Sequence, residues 1–89
     1  MPDEELRASW KRTEQHLRDA IRHQPLPDDT RALVLDFIDH NELGVAFEWM
    51  TSALVEAGAR LKPEARDALA EAARAMGLEG NADWVQLSR

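Results

Sequence analysis

Leu43-Gly44-Val45-Ala46-Phe47-Glu48-Trp49-Met50-Thr51-Ser52-Ala53-Leu54-Val55-Glu56-Ala57-Gly58 is the stretch that decides the fold class of this chain. Leu43, Ala46, Phe47, Met50, Ala53, Leu54 and Ala57 recur at three- and four-residue spacing, which gathers them on one broad face of a helix. Gly58 then supplies a residue suited to the left-handed conformation in which helices end. On the same wheel Val45, Trp49, Ser52 and Glu56 fall opposite Met50 and Leu54, with Glu48 and Val55 flanking them. A central helix of a small bundle is apolar on several sides, so Trp49 reads either as core or as an interface anchor.

Helical spacing continues on both sides of this stretch, and nothing in the chain reads as a strand. Upstream, Asp28, Asp29 and Thr30 carry N-cap chemistry and place negative charge at the positive end of a helix dipole. In the helix they open, Leu33, Val34, Phe37, Ile38 and Asn41 share one side, and Asp29, Asp36, Asp39 and His40 the other. Its link to the central helix is either a tight connection through Asn41-Glu42-Leu43-Gly44 or a bend within one long helix; both keep the apolar spacing. Further upstream, Leu6, Trp10, Thr13, Leu17, Ala20 and Ile21 mark one stripe on a first helix, stopped by Gln24-Pro25-Leu26-Pro27. Downstream, Pro63 suits the first turn of a fourth helix and Gly77 its close. Ala65, Leu69, Ala72, Ala73 and Met76 form a narrow stripe of small residues, expected to lie closely across the third helix. The segment 81–87 is too short to assign, although Trp84, Val85 and Leu87 suit the sealing of one end. The expectation is an all-α compact bundle of about four helices, one domain over residues 1–89, with flexible ends at 1–4 and 80–89.

Eighty-nine residues without cysteine hold one modest core and exclude a disulfide framework, a thiolate metal site and a cysteine nucleophile. The start lacks the pattern of a secretory signal, and no apolar run approaches the ~18 residues of a membrane span. A soluble, cytoplasmic chain is the expectation. Its net charge of -6 is not evenly spread. Residues 1–24 balance five acids with five bases, and so do residues 59–89; the middle, 25–58, holds seven acids and only Arg31. An acidic block of this kind argues against nucleic acid and against anionic membrane as partners, because both demand clustered Lys and Arg. A basic protein is the electrostatic expectation.

No constellation for catalysis emerges. His16 and His23 stand seven apart, and no His-Glu-x-x-His run or i,i+4 His pair offers zinc its ligands. Asp39, His40 and Ser52 lack the strand-to-helix elbow and oxyanion loop of a nucleophile set, and phosphate-binding glycine loops are absent. An acyl carrier protein requires an Asp-Ser-Leu turn, where this chain has Glu42-Leu43-Gly44-Val45. A DNA-reading helix would not carry Glu48 and Glu56 without Arg or Lys. No catalytic residue, metal or cofactor is expected.

The stretch Asp36-Phe37-Ile38-Asp39-His40-Asn41-Glu42-Leu43-Gly44-Val45-Ala46-Phe47-Glu48, followed by Leu54, Ala65 to Ala73 and Met76-Gly77-Leu78, resembles the small MafI-type immunity proteins of bacterial polymorphic toxin systems. In that family a phrase F-I-x-H-x-E-x-G-x-A-x-E marks the passage between two helices, and M-G-L or similar closes the last. Phe37, Ile38, His40, Glu42, Gly44, Ala46 and Glu48 match the phrase. The resemblance spans the middle of the chain and leaves out the first helix; Trp49 departs from the pattern. It implies a non-catalytic cytoplasmic protein that neutralises the toxin domain of its own strain, often a nuclease, by tight binding.

Combined with the acidic block, the resemblance leads to an immunity protein that uses Asp36, Asp39, Glu42, Val45, Trp49 and Glu56 against a basic toxin domain. Each carboxylate would pair with Arg or Lys of the toxin, and Trp49 would fill a pocket. The alternative is a regulatory or scaffolding helical module, with Val45 and Trp49 as the seam of a homodimer.

Overall fold

A computed structural model describes residues 2–89, with side chains from Glu4 onward. Among the described residues there are five α-helices and no strand: α1 (Pro2–His23), α2 (Asp28–Asp39), α3 (Leu43–Glu56), α4 (Pro63–Met76) and α5 (Ala82–Leu87). One contiguous core holds them together. Phe47, Met50 and Leu54 of α3 are buried at its centre, with Leu17 and Ile21 from α1, Val34 and Ile38 from α2, Leu69 from α4 and Trp84 from α5.

The link between α2 and α3 is a sharp turn, and its pivot is Asn41 rather than a glycine. Asn41 sits at φ 60, the left-handed region that asparagine tolerates better than most residues. Two hydrogen bonds close the turn: Asn41 N–H donates to the Ile38 carbonyl at 3.0 Å, and Glu42 N–H to that of Phe37 at 2.8 Å. Carbonyls that a helix end leaves without partners are thereby satisfied. The same two-bond closure ends α3 at Gly58 (φ 62) and α4 at Gly77 (φ 68). Gly44 already lies inside α3.

Three expectations are corrected. The start of α2 is capped differently, because Pro27 occupies the N-cap position and no side chain caps it. Asp28 and Asp29 lie within the first turn, where they still face the positive end of the dipole. Second, α4 packs along α1 and touches α3 only slightly. Its buried face, Ala65, Ala68, Leu69, Ala72 and Ala73, meets the side of α1 that carries Leu17, Ala20 and Ile21. The two helices run antiparallel, pinned at one end by Gln24: its amide oxygen accepts from Lys62 N–H at 2.9 Å, and its Nε2 donates to the Arg60 carbonyl at 3.3 Å. Third, the segment 81–87, too short to assign from its spacing, holds a helix. The Asn81 side chain accepts from Trp84 N–H at 2.9 Å and so caps α5, which lies on α3 with Trp84 edge-on to Phe47. At the other end, Met1 lies outside the described residues, and α1 runs from Pro2.

The stripe on α1 is only partly used. Thr13, Leu17, Ala20 and Ile21 are buried, whereas Leu6 and Trp10 are 48% and 44% exposed. The N-terminal turns of α1 extend past the end of the helix that covers the rest of it.

Candidate functional site

The outer side of α3 is where the structure leaves its largest side chain uncovered. Trp49 is 49% exposed, which settles it as surface rather than core. Its ring lies 6.1 Å, centroid to centroid, from that of Phe37 on α2, tilted by 32°. This is an aromatic pair in reach of solvent. Val45, one turn before Trp49, and Glu56, two turns after it, are exposed as well.

Trp49 stands in a shallow groove of about 520 Å³ lined also by Thr30, Glu48, Ser52, Ala53, Glu56, Asn81 and Asp83. Thr30 comes from the start of α2, which the sharp turn at Asn41 folds back along α3; Asn81 and Asp83 come from the capped start of α5. The groove is thus lined by an indole and by Glu48, Glu56 and Asp83, with no Lys or Arg among its lining residues. Such a surface favours a cationic group, through the ring face and through charge.

The expected site is divided in two by the fold. Val45, Trp49 and Glu56 share the α3 face, but Asp39 does not join them. It follows Phe37 by two residues and so lies roughly 160° round α2 from the ring that meets Trp49. There it faces α1, where Arg18 Nη2 donates to its Oδ1 at 2.7 Å while Arg18 Nε donates to Glu14 at 2.9 Å. These bonds, to Asp39 first and Glu14 second, raise the guanidinium pKa above its ordinary value. Asp39 is therefore already engaged in tying α2 to α1. Asp36 is exposed beside His40, whose Nδ1–H donates to the Asp36 carbonyl at 2.8 Å and lies 3.5 Å from its carboxylate. The backbone bond, then the Asp36 charge, raise the His40 pKa above the ordinary imidazole value. Glu42 is exposed at the N-cap of α3, without a side-chain capping bond.

Two acids beyond the expected residues, Glu48 and Asp83, enter the site. Glu48 was visible as a neighbour of Trp49 on the wheel, so the signal for it existed. Asp83 carried none, because it reaches the groove only through the docking of α5 on α3. Among the described residues no group of three or more His, Asp or Glu side chains could hold a metal ion, and no helix is long and apolar enough to cross a membrane. Set against protein-family models, curated proteins and solved structures, the chain matches none.

Proposed function

We propose that this chain is a non-catalytic immunity protein, acting in the cytoplasm, that binds and neutralises a basic toxin domain through the groove around Trp49. The observation that carries the reading is the exposed indole of Trp49 within a rim of Glu48, Glu56 and Asp83. An exposed Trp in a concave, charged setting is the type of residue that dominates protein interfaces. The acidic rim orients a cationic partner and speeds its approach. The resemblance of residues 36–48 to MafI-type immunity proteins supplies the partner class: a toxin of the same strain, with a nuclease as the typical case. A nuclease must present Lys and Arg to phosphate, and carboxylates can occupy those places. Asp36 and Glu42 add to the negative field from a neighbouring surface; Asp39 is less free to pair with a partner, because its carboxylate is already bonded to Arg18, which also holds Glu14.

The rival is a scaffolding or regulatory module that pairs with itself along Val45 and Trp49. Both side chains are exposed one turn apart, which favours it. Its difficulty is electrostatic, since each copy would bring its own Glu48, Glu56 and Asp83 into one seam.

The test is calorimetry and co-expression with a candidate toxin domain sought in the neighbouring gene. Trp49→Ala is expected to cost about 2 kcal/mol or more of binding, roughly thirty-fold in Kd. Glu48→Lys with Glu56→Lys slows association and reduces its salt dependence. Protection and affinity left unchanged by both variants would refute the site. Sedimentation at low and high salt separates the rival, because an apolar seam persists in salt.

A further inference from the structure

We infer that the pocket at the C-terminal end of α3, lined by Arg60, Arg66 and Arg89, binds a compact oxyanion, namely a small phosphate ester or polycarboxylate. The three arginines come from three places in the fold: the loop after α3, the first turn of α4 and the residues after α5. They line one pocket of about 570 Å³, whose walls include Leu54, Leu61 and Leu87 and whose lining holds no Asp or Glu. In a chain with 17 acids to 11 bases this is a local reversal of sign. The acids nearest in sequence line other grooves: Glu56 and Asp83 that of Trp49, Glu64 and Asp67 one beside α1. Arg18, Arg22 and Arg74 are each paired with a carboxylate, whereas among the described residues Arg60, Arg66 and Arg89 take part in no ion pair.

Like charges gathered in one pocket repel, and no carboxylate of the fold is bonded to these three. The negative ends of α3 and α5 meet the pocket, but each supplies roughly half a charge, and the positive end of α4 cancels one of them. Even Arg60 and Arg66 without Arg89 leave the pocket positive. A bound anion relieves the repulsion. Guanidinium forks match the oxygens of phosphate and carboxylate in pairs, which favours an anion with several oxygens over chloride. The leucine walls suit a ligand whose charged head carries an apolar body. Extended polyanions fit less well, because the neighbouring grooves carry Glu56, Glu64 and Asp67 and the net charge of -6 opposes nucleic acid and anionic lipid alike. The pocket is separate from the Trp49 groove and does not rest on the toxin reading.

Nuclear magnetic resonance titration of the full chain tests this, with pyrophosphate and citrate added separately at an ionic strength held constant with chloride. Saturable amide shifts are expected at Ala59, Leu61, Arg66 and Leu87, with a Kd of roughly 10 µM to 1 mM for the better anion. The tighter arm tells whether the preferred head is a phosphate or a set of carboxylates. Arg60→Gln with Arg66→Gln weakens binding roughly tenfold or more, with helical CD unchanged because both side chains are exposed. Arg12→Gln with Arg74→Gln, two exposed arginines that line another groove, leaves the affinity within about twofold. Shifts that stay linear to ~10 mM, well above the expected range, overturn the inference. So do equal losses in the two double variants, or a DNA duplex that binds these residues more tightly than either small anion.

Discussion

Trp49 and Trp84 show how little a residue type says about its role. Trp84 is 6% exposed and packs edge-on against Phe47, the largest fully buried side chain of the core. Trp49, on the opposite face of the helix that carries Phe47, is half exposed and pairs with the ring of Phe37. Trp84→Ala is therefore expected to destabilise the fold by about 3 kcal/mol, through lost burial and the cavity left behind. Trp49→Ala should move stability by well under 1 kcal/mol while weakening the proposed partner binding roughly thirty-fold. Urea titration of both variants checks this pair of outcomes, and equal losses would contradict the placement of Trp49. The wheel of α3 put Trp49 opposite Met50 and Leu54, but it could not say whether another helix covers that side. Asn41 is a second case. An asparagine in the left-handed region has a weaker signature than the glycines that end α3 and α4, and so the turn between α2 and α3 stayed open in the sequence.

At the level of elements, helix ends were legible because the forces that stop a helix act within a few residues. Gly58, Gly77, Pro25 and Pro63 each stand where an end or a start is found. Helix partners were not legible in the same way. The small-residue stripe of α4 is the face that packs, as its spacing predicts, yet it packs on α1. A stripe tells which side of a helix is buried, not which neighbour buries it. The α1–α4 pair depends on a polar strut as well as on small residues. Gln24 is nearly buried and joins the end of α1 to the backbone at Arg60 and Lys62. Gln24→Ala leaves the Lys62 N–H without its acceptor and is expected to cost about 1–3 kcal/mol. Native-state hydrogen exchange should then locate faster opening at residues 60–63, with α2 and α3 unaffected; uniform acceleration across the chain would argue against a local strut.

For the molecule as a whole, the last nine residues decide more than their length suggests. α5 closes the core over Phe47 and also delivers Asn81 and Asp83 to the Trp49 groove. Removing residues 81–89 is expected to lower the midpoint of urea unfolding by at least as much as Trp84→Ala, and to weaken the proposed partner binding beyond the loss of Asp83 alone. A truncated chain with undiminished stability would show that α5 is not part of the core. The sequence by itself determined the helical class, the four longer helices with most of their ends, and the concentration of negative charge in residues 25–58. All of these follow from local spacing, local capping chemistry and simple counting. Only the tertiary structure decided that Asp39 is bound to Arg18, that Glu48, Glu56 and Asp83 line the groove of Trp49, and that Leu6 and Trp10 stay about half exposed near the end of α4. The reason is physical: each depends on which helix faces come together across tens of residues, and helical periodicity specifies a face without specifying its partner.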